Sequence, residues 1–181
     1  MALPVTPAPV TPTRPVTGTA TTLGTGTFSG GKDVAPGLYD LSAGGGQSGN
    51  FFVNGTDGYN EILGTNHGFG VPTVRVQISN GDSIQVSGLS QVVFTPVTTP
   101  FVTSHSPVNL YAGTWTVGQD IGPGRYVATP GSGQSGNFFV ENQMVNEILG
   151  GSYGVPNVTV NLQQGDVITI SGLSQVTMTP A

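Results

Sequence analysis

Acidic side chains are the groups in this sequence most capable of acid–base chemistry, and three of them recur at matching positions in two stretches of the chain. The pairs are Asp33 and Asp120, Glu61 and Glu147, and Asp82 and Asp166. Hydrolysis of a glycosidic bond needs two carboxyl groups about 5 to 9 Å apart on either side of that bond. The four aspartates stand at Gly-containing turn sequences, where a carboxylate usually caps backbone amides. One glutamate per stretch then remains, which does not suit hydrolysis.

Other catalytic groups are scarce. The chain has no cysteine, His67 has no counterpart in the second stretch, and His105 lies in a Pro- and Thr-rich segment. A catalytic triad or a zinc site needs histidine together with a nucleophile or further ligands. We therefore expect a protein that is not an enzyme and that uses no cofactor and no metal.

The two glutamates lie in the same short motif. Asn60-Glu61-Ile-Leu-Gly in the first stretch matches Asn146-Glu147-Ile-Leu-Gly in the second. A carboxylate beside apolar residues needs either solvent or a hydrogen-bonding partner. Two roles stay open for these motifs: contact with a ligand, or a structural hydrogen bond.

Aromatic residues are the more promising binding groups. Phe69 and Tyr153 each precede Gly-Val-Pro in a loop whose length differs between the two stretches. Variable loops often carry binding residues, and an aromatic face beside amide and hydroxyl groups suits a neutral sugar. Trp115 stands where the first stretch has Phe28, in a strand-like segment that favours the core. The candidate carbohydrate-binding residues are Tyr153, Phe69, Asn146, Glu147, Asn60, Glu61 and Trp115.

The overall charge argues against several classes of partner. Charged residues make up 7% of the chain, with four Lys and Arg in total and a formal net charge of −5. So few cations cannot neutralise a run of phosphates, which excludes a nucleic-acid partner. No apolar run approaches the 18 residues of a membrane span, and residues 1–15 lack the apolar segment of a signal peptide. Neutral polar partners fit the composition best.

Long blocks of sequence occur twice. Gly-Gln-Ser-Gly-Asn-Phe-Phe-Val begins at Gly46 and again at Gly133, and Ser-Gly-Leu-Ser-Gln-Val begins at Ser87 and again at Ser171. Solenoid repeats run about 20 to 50 residues, so a unit of roughly 70 residues indicates a duplicated domain. We predict a Pro/Thr-rich linker over 1–25 that buries almost nothing, copies over 26–97 and 109–181 that each fold alone, and a connector over 98–108.

The predicted fold class is all-β, with two tandem β-sandwich or jelly-roll-like domains. The chain is rich in Gly, Pro, Thr and Val, which favours short strands and tight turns over helices. Apolar residues alternate with polar ones over residues 73–79 and 157–163, which predicts strands with one buried face. Gly81 and Gly165 then suit hairpin turns, because glycine tolerates positive φ. About seven strands are expected in each copy.

The motifs together resemble a known family. Gly-Thr-Trp-Thr-Val-Gly-Gln-Asp-Ile-Gly-Pro-Gly-Arg-Tyr begins at Gly113 and is followed by Gly-Asn-Phe-Phe-Val, Asn-Glu-Ile-Leu-Gly and Gly-Asp-Val-Ile-Thr-Ile-Ser-Gly-Leu. This pattern is similar to the carbohydrate-binding module of evolved distal tail proteins of siphophages that infect lactic acid bacteria. The pattern also resembles repeats in surface lipoproteins of Gram-positive bacteria. The resemblance covers residues 26–181. The first copy departs from the pattern over residues 30–34, which match 117–121 of the second copy, and at Phe28, where the second copy has Trp115.

The resemblance implies a function and a location. A module of that family would belong to a parent phage tail or baseplate protein, at the tail tip of the virion, and would bind host cell-wall polysaccharide without catalysis. Two alternatives remain open at this point. One is a structural spacer that packs against neighbouring baseplate subunits, and the other is a protein-binding adhesin module on a bacterial surface.

Overall fold

The computed structural model describes residues 14–55 and 58–181, and within them the chain is all-β, as predicted. Residues 14–97 form the first half of the described chain, and residues 98–181 form the second half. The strands of the first half are β1 (Thr21–Leu23), β2 (Gly26–Ser29), β3 (Gly37–Ala43), β4 (Gly49–Asn54), β5 (Tyr59–Leu63), β6 (Thr73–Ile78), β7 (Ser83–Ser87) and β8 (Val92–Pro96). Those of the second half are β9 (Val108–Leu110), β10 (Gly113–Thr116), β11 (Gly124–Pro130), β12 (Ser135–Val140), β13 (Val145–Gly150), β14 (Val158–Leu162), β15 (Val167–Ser171) and β16 (Val176–Pro180). Two short 3-10 turns, Asn66–Gly68 and Glu141–Gln143, lie between strands.

The strands form layered sheets of a β-sandwich-like architecture. One four-stranded sheet has the order β2-β7-β4-β5, and another has the order β14-β11-β16-β9. The third sheet has eight strands, in the order β1-β8-β3-β6-β10-β15-β12-β13. It crosses from the first half to the second at the parallel contact between β6 and β10. The two halves therefore share one sheet.

Apolar residues of the facing sheets form two hydrophobic clusters. One contains Tyr39, Phe51 and Phe94 of the first half, and the other contains Tyr126 and Phe138 of the second half. Each of these aromatic side chains is fully buried. The apolar face predicted for β6 and β14 is present, because Val74, Val76, Ile78, Val160 and Leu162 are buried and Val158 is half-buried. Burial of a large apolar side chain contributes roughly 1.5 to 3 kcal/mol, so these alternating positions stabilise the sandwich.

The predicted hairpins at Gly81 and Gly165 are wrong, although the turns themselves are present. Both glycines have positive φ, +86° and +87°. However, β6 pairs with β3 while β7 pairs with β2 and β4, so this turn carries the chain from one sheet to the other. The strands on either side of it face each other through their buried side chains and not through backbone hydrogen bonds. The turn at Gly165 joins β14 to β15 in the same way.

The aspartates of these turns cap backbone amides, as predicted. The Ser79 amide donates to Asp82 Oδ2 at 2.7 Å, and the Gln163 amide donates to Asp166 Oδ2 at 2.9 Å. Asp33 and Asp120 accept from the Ser29 and Thr116 amides, both at 2.8 Å. Asp166 also accepts from Gln143 and Asn142. Although burial raises the pKa of Asp166, these hydrogen bonds outweigh it and hold the pKa below its usual value.

The prediction that residues 1–25 bury almost nothing is wrong for the part of that segment that the structure describes. Strand β1 pairs with β8, and Leu23 is buried in the first hydrophobic cluster. The Thr19 amide donates to the Tyr39 hydroxyl at 3.0 Å, and Arg14 forms an ion pair with Asp120. Residues 1–13 of the predicted linker lie outside the described residues. The described residues of 26–97 contain seven strands, β2 to β8, as predicted for the first copy, and β1 adds an eighth to the first half.

The connector predicted over residues 98–108 also packs against the protein. His105 lies edge-on to Tyr126, with 4.7 Å between the ring centroids, and its Nε2 is 2.8 Å from the Arg125 carbonyl oxygen. The Val102 amide donates to the Gln119 carbonyl at 2.8 Å. Val108 already belongs to β9, which pairs with β16. The connector is thus held on the second half along its length.

Glycine permits the contact that joins the halves. Gly113 lies opposite Arg75 in the parallel pairing, and the Arg75 amide donates to the Ala112 carbonyl at 3.0 Å. A Cβ atom at Gly113 would clash with the backbone of Arg75. Only glycine lets the two strands approach this closely.

Candidate functional site

A cleft with a volume of about 540 Å³ is lined by residues of both halves of the chain. The first half lines it with Glu61 and Ile62 of β5 and with the loop that ends at Phe69. The second half lines it with Gln134 and Ser135, at the start of β12. Ser174 and several glycines complete the wall. The cleft therefore combines an aromatic ring with neutral hydrogen-bonding groups.

Glu61 forms the part of the cleft where the halves meet. Its side chain is buried, with 9% of the residue exposed. Oε2 accepts from the Gly172 amide at 2.7 Å, and Oε1 accepts from the Ile62 amide at 3.1 Å. Gly172 belongs to the other half of the chain, so this carboxylate stabilises the contact between the halves. Of the two roles left open by the sequence, these contacts favour the structural one for Glu61.

Tyr59 supports the same contact. Its hydroxyl donates to the Ile170 carbonyl at 2.6 Å and lies 3.3 Å from Glu61 Oε2. Burial, together with the charge and hydrogen bond of Glu61, raises the pKa of Tyr59 well above its ordinary value. The phenol therefore stays protonated and remains a hydrogen-bond donor at any ordinary pH.

The structure brings only part of the predicted binding set into this cleft. Phe69 lines it and is 59% exposed. Tyr153 is 99% exposed but lies outside the lining, on the loop that follows β13. Asn60 and Asn146 are exposed on their strands, and Glu147 is half-buried on β13. Glu61 and Phe69 are therefore the members of the predicted set that line this cleft.

Trp115 is buried, in agreement with the interpretation that it belongs to the core. It is 4% exposed, and its Nε1 donates to the Tyr111 carbonyl at 2.8 Å. The ring also packs edge-on against Tyr111, with 4.6 Å between centroids. A ring so covered has no free face for a sugar, so Trp115 does not act as a surface stacking platform.

Arg75 was not among the residues singled out from the sequence, yet it organises the contact between the halves. The alternating pattern of β6 predicts that Arg75 is exposed, whereas it is 4% exposed. Its guanidinium forms ion pairs with Asp40 and Asp120, and Nη2 donates to the Tyr111 hydroxyl at 3.1 Å. The sequence gives one indication that Arg75 is buried: it is one of only four basic residues in the chain, and it lies within an apolar strand.

The charges of this cluster shift the pKa values of its members. Burial lowers the pKa of Arg75, but the hydrogen bond and charge of Asp40 outweigh it and raise the pKa above its usual value. Burial and the hydrogen bond to Asp40 raise the pKa of the Tyr111 phenol. Both groups therefore keep their protons. The cluster is an ion network that joins residues of both halves beside the pairing of β6 with β10.

Neither a metal cluster nor a membrane-spanning helix is found in the described ranges, 14–55 and 58–181. No three His, Asp or Glu side chains there are grouped closely enough to hold a metal ion. No helix in the same ranges is long and apolar enough to cross a membrane. Compared with known proteins, the chain matches no protein-family model, no curated protein and no solved structure.

Proposed function

We propose that the protein is a non-catalytic carbohydrate-binding protein of a phage tail, which attaches to host bacterial cell-wall polysaccharide through the cleft between its halves. The observation that carries this proposal is the composition of the cleft. It pairs the exposed Phe69 ring with the amide of Gln134 and the hydroxyls of Ser135 and Ser174. Aromatic faces and neutral hydrogen-bonding groups together suit the faces and hydroxyls of a sugar.

The net charge of the protein supports a neutral polymer as the ligand. The net charge of −5 disfavours polyanionic polymers. The parent protein and the virion location rest on the sequence motifs that resemble the distal tail modules.

We also propose that the two halves are tandem copies of one module. Strand β3 pairs with β6 and β8, and β11 pairs with β14 and β16. Likewise β7 lies between β2 and β4, and β15 lies between β10 and β12. The repeated sequence blocks fall at the same places in these two sets of pairings. A duplication accounts for both observations.

The test is binding of the fluorescently labelled chain to whole Gram-positive cells, with and without purified cell-wall polysaccharide as competitor. We expect saturable binding that the polysaccharide abolishes. Binding that survives the polysaccharide but is lost after protease treatment of the cells would favour a protein-binding adhesin. Absence of binding to any cells, with binding to baseplate proteins, would favour a structural spacer.

A further inference from the structure

The contact between the halves uses one surface of each half, and within residues 14–55 and 58–181 no strand pairs with the corresponding edge at either end of the molecule. Internally, β5 and β6 of the first half meet β10 and β15 of the second. By their pairings, β13 and β14 of the second half correspond to β5 and β6 of the first. Likewise β2 and β7 of the first half correspond to β10 and β15 of the second. Both β14 and β2 are edge strands of their sheets. An uncovered edge strand can pair with another chain.

The edge strands β14 and β2 have the same register in their sheets as β6 and β10, the strands that join the halves. Arg75 lies opposite Asp40 of β3, and Thr159 lies opposite Val127 at the same place in β11. Gly113 lies opposite Ile170 of β15, and Gly26 lies opposite Val86 at the same place in β7. The glycine that close strand approach requires is therefore present on the free edge as well. Pairing of β14 with β2 of another molecule would repeat the internal contact.

The second half also exposes side chains that the contact covers in the first half. Glu61 is 9% exposed, and its carboxylate accepts a hydrogen bond from the other half. Glu147 at the matching place is half-buried, and its carboxylate has no hydrogen-bonding partner among the described residues. Ile148 next to it is 48% exposed, and Tyr153 is 99% exposed. An apolar and aromatic surface of this kind beside an open edge is typical of an interaction site.

We propose that a second copy of this chain docks head to tail, with its β2 edge on the β14 edge of the first. The docked pair would form a second cleft between Glu147, Ile148 and Tyr153 of one copy and Gln47, Ser48 and Ser90 of the next. These residues correspond to Glu61, Ile62, Phe69, Gln134, Ser135 and Ser174 of the internal cleft. The proposal rests on the proposed correspondence of the halves but not on the identity of any ligand.

The contact between copies is weaker than the internal one. Thr159 replaces Arg75, Val127 replaces Asp40, and Phe28 replaces Trp115, so the buried ion network has no equivalent. Association is therefore reversible and depends on concentration. A head-to-tail contact leaves the same edges free at the ends of the pair, so further copies add as a chain or close as a ring.

Sedimentation velocity of the full chain from micromolar to millimolar concentration tests the proposal. We expect the sedimentation coefficient of the wild type to rise with concentration. Thr159→Pro removes the outward N–H of an edge strand, where proline is tolerated, and should weaken association by about tenfold or more. Thr159→Ala keeps that N–H and is the matched control, which should associate like the wild type. Thermal unfolding establishes first that both variants fold.

A second pair of variants gives an independent check. Glu147→Lys places an opposite charge in the docking surface and should also suppress association, while Glu141→Lys makes the same charge change on the exposed 3-10 turn and should not. A wild type that stays monomeric at all concentrations would overturn the proposal. Association that is equally strong in Thr159→Pro and Glu147→Lys would overturn it too, because another surface would then be responsible. Binding of cells by a strictly monomeric chain would leave the proposed function standing.

Discussion

The guanidinium of Arg75 lies over the indole ring of Trp115, with 4.1 Å between the guanidinium carbon and the ring centroid. The two residues come from different halves of the chain. The same guanidinium bonds Asp40 through Nε and Nη2, at 2.9 and 3.0 Å, and Asp120 through Nη1 at 3.0 Å. One arginine thus contacts both halves by charge, hydrogen bonds and its planar face. These contacts join the two halves beside the pairing of β6 with β10.

Arg75→Met should destabilise the protein by about 3 kcal/mol, because it leaves buried carboxylates short of a partner. Urea unfolding of the full chain measures this loss. Arg125→Met is the matched control, since Arg125 is exposed and should change stability by less than about 0.5 kcal/mol. Equal stability of the two variants would mean that the ion network does not hold the halves together.

Deletion of residues 1–25 should lower the melting temperature relative to deletion of residues 1–13. The longer deletion removes β1, its pairing with β8, and the ion pair of Arg14 with Asp120. Removal of the buried Leu23 alone would cost about 2 kcal/mol or more. Calorimetry of the two truncated proteins makes the comparison. Identical unfolding curves would show that the segment is a tether after all.

Asp166→Asn should lower stability at neutral pH and have less effect in acid. The folded-state pKa of Asp166 is depressed, so its carboxylate contributes stability above its unfolded pKa of about 3.9, and this contribution is lost as pH falls through the folded pKa. Melting temperatures of the wild type and variant should converge as the pH falls below the folded-state pKa of Asp166. Glu141→Gln, on an exposed turn, is the control. A difference in melting temperature that grows as the pH falls would contradict a lowered pKa for Asp166.

Phe69→Ala should weaken cell binding about tenfold, since one stacked aromatic ring contributes roughly 1 to 2 kcal/mol. Its melting temperature should not change, because the ring is 59% exposed. Tyr153→Ala is the matched control: it removes an exposed loop aromatic outside the cleft and should bind like the wild type at concentrations where the chain is monomeric. Weakened binding of Tyr153→Ala with normal binding of Phe69→Ala would place the site on the loop after β13.

Separation of the halves should abolish binding. If each half had its own site, linkage of the two would raise avidity by roughly tenfold or more over either half. The cleft instead takes its walls from both halves, so fragments 14–97 and 98–181 should each fail to bind cells that bind the full chain. Circular dichroism of each fragment establishes that it is folded. Binding by one folded fragment at the affinity of the whole would show that the site lies within that half.

The sequence by itself determined the local features of the fold. Alternation placed Val74, Val76 and Ile78 inside because a strand turns successive side chains to opposite faces. Glycine in a turn followed by aspartate predicted the caps at Asp82 and Asp166, because those contacts span only a few residues. The repeated blocks likewise indicated two similar sets of strands. Each of these inferences depends on neighbours in the chain.

Only the tertiary structure decided which residues the contact between the two halves buries and bonds. The alternation that placed Val74 correctly predicts that Arg75 is exposed, and the second half buries it. The same motif contains Glu61 and Glu147, yet one bonds Gly172 across the contact while the other has no partner among the described residues. The cleft also draws Phe69 and Gln134 from distant parts of the chain. Pairing of β6 with β10 creates these relationships, and no local pattern encodes which edges of two similar sandwiches will meet.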